Sequence, residues 1–287
     1  MLKISLIICT RNRSSRLKKA LDSLITMTYP EPWELVIVDN GSTDDTRSVI
    51  HQFQHRFHHK LVAVMEPRPG MGHVRNTGWT HASGDIVAFT DDDCYPAESF
   101  LGSVVQCFEE NERIGFVGGR VLLYDPADYR ITIQEQTKRQ LLKPKSFVPA
   151  GFIHGANLSL RRTALAAVGG FDGRLGYGTS FVCEDVDIQA RILASGWYGA
   201  FDPRPVVYHH HGRKTETDVN QLTKIYDRGR GAYYVKCLLN KRICATYLKN
   251  WLKLIRRQAF RTTFRELGSC AEFLFLTAFK LIKNAFR

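Results

Sequence analysis

The sequence predicts an α/β protein: a mainly parallel sheet flanked by helices, followed by a basic helical extension. Two observations predict the sheet. Short apolar runs rich in β-branched residues, at 3–9, 34–38, 61–65 and 86–89, have the length of buried strands. They alternate with segments whose apolar residues recur at helical spacing, which favours parallel strands joined by right-handed crossovers. A third observation marks the extension. Residues 224–287 hold 15 Lys/Arg against 3 Asp/Glu, the whole +12 excess of the chain, whereas the first 223 residues balance at 25 of each sign. The expected division is therefore a neutral body over residues 1–220 and a basic appendage over 221–287 that faces an anionic partner.

The bulk numbers exclude several classes. With 287 residues, 44% hydrophobic and 24% charged, the chain has the composition of an ordinary globular protein. Its seven cysteines are scattered, with no C-x-x-C pair, which fits reduced thiols rather than a disulfide framework or a zinc site. The first residues run straight into a strand-like segment without the pattern of a cleaved leader, so a cytoplasmic protein is expected.

In chain order, the first strand leads into Thr10-Arg11-Asn12-Arg13-Ser14, and Ser14 or Ser15 is placed to cap a helix carrying Leu17, Ala20, Leu21 and Leu24. The second strand ends at Asp39, before the turn Asn40-Gly41-Ser42-Thr43-Asp44 and a capped helix start. A third strand and the loop Pro69-Gly70-Met71-Gly72 precede a helix from His73 that ends near Ser83-Gly84. The fourth strand ends in Asp91-Asp92-Asp93. Three adjacent acids repel one another, and a divalent cation with its oxygen ligands offsets that cost. In open α/β sheets ligands sit at the carboxyl ends of strands. The bland alternative is a solvated acidic turn.

Residues 100–108 read as helix and 114–123 as strand. Residues 125–150 are irregular and fit a mobile acceptor-side segment. Residues 152–160 read as a strand or its approach, 175–181 as a glycine-rich loop, and Glu184-Asp185-Val186-Asp187 as the acid-rich first turn of a helix, where acids suit the positive helix end. A late strand at 206–208 is followed by His209-His210-His211.

These motifs, in this order, resemble the family 2 glycosyltransferases, nucleotide-sugar enzymes with a GT-A fold. The matching residues are Thr10-Arg11-Asn12-Arg13, Val38-Asp39-Asn40-Gly41-Ser42-Thr43-Asp44, Arg75-Asn76-Thr77-Gly78, Ala82-Ser83-Gly84-Asp85 and Asp91-Asp92-Asp93. They continue through Gly155-Ala156-Asn157, Arg161-Arg162, Gly169-Gly170-Phe171-Asp172 and Glu184-Asp185-Val186-Asp187. The resemblance covers most of the first 220 residues and none of the tail. It implies an inverting, metal-dependent transfer of a sugar from a nucleotide-diphosphate sugar, usually a UDP-sugar, to a glycan or lipid-linked hydroxyl. Such transfers serve cell-surface polysaccharide or glycolipid synthesis.

The resemblance also implies roles. Thr10, Arg11 and Asp39 belong to the nucleotide; for Asp39 the alternative is a turn-forming residue. Arg75 stands near the phosphates, its alternative being a surface ion pair. Asp93 is the metal ligand, with Asp91 assisting or contacting ribose, on the same side if the chain is extended there; Asp92 is assigned to the nucleotide sugar. Of the acidic pair, Asp185 is the general base and Glu184 positions the acceptor, since adjacent helical residues point about 100° apart. Alternation puts His209 and His211 on one face, with His209 the first choice as a metal-bound imidazole and His211 the second. Carboxylate and imidazole together suit Mn²⁺ or Mg²⁺.

The tail interleaves Trp251, Leu252, Leu254, Ile255, Phe260, Phe264 and Leu267 with basic residues, the composition of an interfacial amphipathic helix. The stretch 267–282 is too short and too charged to cross a membrane. Peripheral attachment to the inner face of an anionic membrane is therefore expected, the alternative being a helical cap on the body. Nothing in the pattern points to nucleic acid, and no G-x-G-x-x-G follows the first strand to suggest a dehydrogenase. The rival to an enzyme is an inactive relative that recruits partners through its basic tail.

Overall fold

The structure, a computed structural model, describes residues 1–285 and their side chains as far as Phe279. The far end of the apolar stretch, Leu281 and Ile282, and the cations Lys280, Lys283 and Arg287 lie outside the described side chains. The first half alternates as expected: β1 (Ile4–Thr10), α1 (Ser14–Leu24), β2 (Glu34–Asp39), α2 (Thr46–Gln54), β3 (Lys60–Met65), α3 (Met71–His81), β4 (Ile86–Asp91). Then follow β5 (Cys94–Pro96), α4 (Phe100–Glu109), β6 (Ile114–Leu123), β7 (Gln140–Leu142), β8 (Leu158–Arg161), α5 (Arg162–Ala167), α6 (Glu184–Ala194) and β9 (Tyr198–His209). Three helices close the chain: α7 (Glu216–Leu238), α8 (Cys244–Ile255) and α9 (Phe260–Ala285).

The strands form one sheet in the order β3-β2-β1-β4-β8-β6-β9-β5, with β7 also pairing β9. The first four are parallel, and β8 runs antiparallel between β4 and β6. Strands β1 and β2 are buried throughout, the pattern of a sheet covered on both faces. Edge strand β3 is only partly covered. Register fixes the functional edge: Thr10 pairs with Asp39 and Cys9 with Asp91, so three neighbouring strands end side by side.

Four details differ from the sequence reading. Neither Ser14 nor Ser15 caps α1 through its side chain; the Ser14 N–H donates to Asp44 Oδ2 at 3.0 Å. Asp44 Oδ1 also accepts the Thr46 N–H, so one carboxylate anchors the starts of α1 and α2. Strand β9 begins eight residues before 206, because Asp202-Pro203-Arg204-Pro205 reads as a loop yet is absorbed where the β6 register shifts. The irregular 125–150 segment contributes β7, and a single 3-10 turn at Gly155–Asn157 precedes β8.

The closing helices pack on the body. Tyr233, Tyr247 and Trp251 belong to the same buried cluster as Phe89 and Phe116. The Tyr233 hydroxyl donates to the Val148 carbonyl at 2.9 Å and lies 2.8 Å from the Tyr247 hydroxyl, which accepts the Val148 N–H at 3.2 Å. Lys236 Nζ reaches Asp172 at 2.6 Å and Asp187 at 2.8 Å. Buried Glu266 accepts from Trp251 Nε1 at 2.9 Å and from Arg230 at 2.8 Å. The boundary expected at 220/221 falls inside α7, whose second half is buried in the shared core. Among the described residues no helix is long and apolar enough to cross a membrane.

Tyr233→Phe removes a buried donor from the Val148 carbonyl. Unfolding free energy should drop by about 1–3 kcal/mol, measured by urea titration; an unchanged midpoint would show that the tail is not held to the body through Val148.

Candidate active site

A cavity of about 460 Å³ opens at the carboxyl ends of β1 and β4 and is closed by the first turn of α6, the glycine-rich loop and α7. Asp91 is the last residue of β4, and the chain turns at Asp92 and Asp93 instead of continuing extended. The turn nonetheless brings donor atoms of Asp91, Asp93, Cys94 and His209 within 4.8 Å of one another.

Each acid of the triplet has its own surroundings. Asp92 is buried and accepts from Thr10 Oγ1 at 2.7 Å and Arg13 Nη1 at 2.5 Å. Burial pushes its pKa up to about 6, against the pull of Arg13 and with the help of Asp93. Asp93 takes Arg13 Nη2 and Arg16 Nη1, each at 2.9 Å, and its Oδ1 lies 3.4 Å from His209 Nε2. Burial opposes its charge, but His209, Arg13 and Arg16 hold it well below the usual carboxylate range. Asp91 is half-buried and meets only Arg75 Nη2, at 3.9 Å; burial raises its pKa, opposed by Arg75 and reinforced by Asp93.

The donor set is chemically suited to a divalent cation. Two carboxylates and an imidazole suit Mn²⁺ or Mg²⁺. Burial raises the Cys94 thiol far above its ordinary pKa. His209 Nδ1 faces Thr132 Oγ1 at 3.3 Å, which leaves Nε2 toward Asp93. His211 is not in this group. Its Nε2 lies 2.9 Å from the Tyr129 carbonyl and its Nδ1 accepts the Arg213 N–H at 3.0 Å, so both ring nitrogens are spent on the loop. The expected alternation holds, since the His209 and His211 rings lie 5.2 Å apart while His210 meets Tyr95 and Tyr124.

Arg75 is the second feature. It projects from α3, 4% exposed, between the rings of Phe89 and Phe171. Glu184 Oε1 is 3.7 Å from it, and its Nη1 is buried without a hydrogen-bond partner among the described residues. A buried guanidinium this incompletely paired is poised for an anion in the cavity. Gly155 makes room for it, since a Cβ there would run into Arg75 Nη2.

The acidic pair divides. Asp185 Oδ2 accepts the Gly155 N–H at 2.9 Å and Oδ1 the Val186 N–H at 2.8 Å, which fixes the carboxylate at the cavity wall. Glu184 is buried; desolvation lifts its pKa to about 7, opposed by Arg75 and reinforced by Asp185. Burial lowers the pKa of His154, beside them, so it is neutral at pH 7.

Of the other expected residues, Arg11 lines the cavity exposed to solvent. Asp39 does not line it. Its Oδ1 accepts the Ser42 N–H at 2.8 Å and its Oδ2 meets Arg47 Nε at 3.3 Å, the turn-forming role. Sequence reasoning missed Arg16 as a partner of Asp93, and missed that Arg213, Tyr226 and Arg230 reach the cavity from α7 and its approach. The Arg13–Arg16 spacing at the start of a helix beside an acid-ended strand was a usable signal; the α7 contribution left none.

Fold and cavity together define an α/β protein with an acidic, arginine-lined cavity at the carboxyl edge of a mixed sheet. The family model for glycosyl transferase family 2 matches residues 5–169, more than half of the chain. The chain belongs to that family. Glycosyltransferase AglE of Haloferax volcanii is 28% identical over 173 residues, covering 60% of this chain and 57% of that protein. The probable glycosyltransferase YdaM of Bacillus subtilis is 23% identical over 267 residues, covering 89% and 59%. The chain thus spans under three-fifths of the length of these relatives. Among solved structures, a Pyrobaculum calidifontis mannosyltransferase in complex with GDP-Man and Mn²⁺ superposes with a TM-score of 0.67 at 20% identity, covering 96% of this chain and 75% of that one. S. aureus TarS 1–349 with UDP-GlcNAc gives 0.66 at 16% identity, covering 94% and 80%. The fold is GT-A, with the closing helices added.

Glu184 supplies a pH signature. Its raised pKa means the native state keeps a proton that the unfolded chain releases, so stability falls as pH rises from 4.5 to about 7. Without added metal or nucleotide, Glu184→Gln should melt higher than the parent above about pH 7, the gap closing below about pH 4.5. Parallel melting curves at all pH values would contradict the burial of this carboxylate.

Proposed function

We propose that the chain is an inverting, metal-dependent glycosyltransferase. It moves one sugar from a nucleotide-diphosphate sugar, foremost a UDP-sugar, to the hydroxyl of a glycan or lipid-linked acceptor in cell-surface polysaccharide or glycolipid synthesis. The observation that carries this reading is the meeting, in one cavity, of the Asp91–Asp93–His209 donor set, the buried unpaired edge of Arg75 and the fixed Asp185 carboxylate.

Asp91, Asp93 and His209 would hold a divalent cation, Mn²⁺ or Mg²⁺, which when bound would supply Lewis-acid stabilisation to the departing diphosphate. Arg75, itself 4% exposed, adds a fixed positive charge for the same phosphates. Thr10 and Arg11 border the nucleotide, and Asp92 supports it by clamping Thr10 and Arg13. Asp185 takes the proton of the attacking hydroxyl, while protonated Glu184 orients the acceptor as a donor. Direct displacement inverts the anomeric centre. The body works at an anionic membrane on the cytoplasmic side, held by α8 and α9. Phe260, Phe264, Leu267 and Phe275 are between 50% and 82% exposed there, among Lys253, Arg257 and Arg261.

Thermal melting with UDP, GDP, dTDP and CMP, each with and without Mn²⁺, tests the donor site. One nucleoside diphosphate should raise the melting temperature, and only with metal; Asp93→Ala should abolish that dependence. No response to any nucleotide would leave the binding-module reading in its place. Asp185→Asn should cut transfer by about 10²–10⁴-fold and leave the nucleotide-induced shift intact. A loss of nucleotide affinity as large as the loss of activity would remove Asp185 from the role of base.

A further inference from the structure

A second groove, of about 320 Å³, runs between the glycine-rich loop and α9. Its walls are Phe181, Phe273 and Leu276, with Ser180, Thr179 and Thr277 between them. Gly178 lines both this groove and the active-site cavity, so the two meet at one residue of the loop. The loop is held against α9 by the edge-on Phe181–Phe273 pair at 5.5 Å and by Arg174, which donates to Thr277 Oγ1 at 3.1 Å and lies 4.9 Å over the Phe273 ring.

The outer lip continues as apolar surface. Leu276 lines the groove and is 44% exposed; Phe279, one turn on, is 58% exposed and stacks with Phe275 at 6.4 Å. From Phe275 the exposed stripe runs back along α9 through Ala271, Leu267, Phe264 and Phe260. An apolar track therefore leads from a helix face flanked by cations, through the groove, to the acceptor side of the cavity. Large exposed apolar surface rimmed by charge marks an interaction site, and the chain's +12 excess, gathered in the last 64 residues, selects an anionic one.

We infer that this groove seats the hydrocarbon chain of a lipid-linked acceptor, which enters sideways from an anionic bilayer lying against α9 and presents its head past Gly178 to Asp185. The inference rests on the proposed transferase reading and names its acceptor class. Phe264 and Phe275 dip into the bilayer, whereas Ser180, Phe181 and Phe273 grip the chain.

The test uses the full chain with phosphatidylcholine vesicles containing phosphatidylglycerol that bears a photoreactive acyl chain. Illumination should label 178–181 on the loop as well as 273–277 on α9. Ser180→Trp, which fills the groove, should lose the loop label and still sediment with the vesicles; the exposed Leu276→Asp should do the same without disturbing the fold. Phe264→Glu should weaken sedimentation and labelling together. Label confined to α9, or loop labelling undiminished in both groove variants, would overturn the inference. So would a dimer on gel filtration that Phe275→Glu converts to monomer, because a second copy would then cover the stripe. The UDP–Mn²⁺ melting shift, read on the same variants, should be unchanged in all; its absence in the parent would count against the donor reading while the labelling pattern still judged the groove.

Discussion

Negative charge at the carboxyl edge of the sheet is the constraint around which this molecule is arranged. Asp91, Asp92, Asp93, Glu184 and Asp185 line one cavity, Asp91 at the end of β4, Glu184 and Asp185 at the start of α6, and the other two in the turn after β4. Like charges at such spacing in poor solvent repel strongly. Three arginines from two helices answer them. Arg13 and Arg16, on neighbouring turns at the start of α1, hold Asp92 and Asp93; Arg75, from α3, stands between Asp91 and Glu184. The compensation is uneven. Asp92 and the Oδ2 of Asp93 are engaged, whereas Asp93 Oδ1, Asp91 and Arg75 retain unspent bonding capacity. A cation and a diphosphate are the species that would complete them.

The sheet explains why the arrangement holds. Paired positions on β1, β2 and β4 end in register, so Thr10 and Asp91 stand on rigid strand termini and Asp92 and Asp93 follow in the tight turn before β5. Asp44 ties the starts of α1 and α2 together, and Asn12, at a positive φ of 51°, accepts the Thr43 N–H across the same loops. The arginines of α1 are thereby aimed by a network that does not itself touch the cavity.

Much of this was legible in the sequence, for identifiable reasons. Strands β1, β2 and β4 are continuous apolar runs because both faces are buried, and such runs are hard to mistake. Asp91, Asp93, Asp185 and His209 stand out because acids and imidazole directly after a strand or at a helix start have few structural uses. Asp39 was expected at the nucleotide with a turn as the alternative, and its carboxylate engages Ser42 and Arg47 at the turn. His211 is likewise engaged, held by Tyr129 and Arg213 while His209 next to it in space stays available. The eight residues that lengthen β9 were hidden by two prolines that the register shift against β6 accommodates. The reach of α7 into the cavity was invisible because it depends on how the closing helices fold back, and composition alone sets no direction of folding.

Gly155 joins the two halves of the site through one peptide. Its N–H fixes Asp185, and its missing side chain is the space in which the Arg75 guanidinium lies. The Arg75 pocket and the anchor of Asp185 thus share one residue. A side chain at Gly155 would therefore press on the Arg75 guanidinium and on the peptide that holds Asp185 at the same time, whereas, among the described residues, the loops at 125–150 and 175–181 hydrogen-bond to neither anchor.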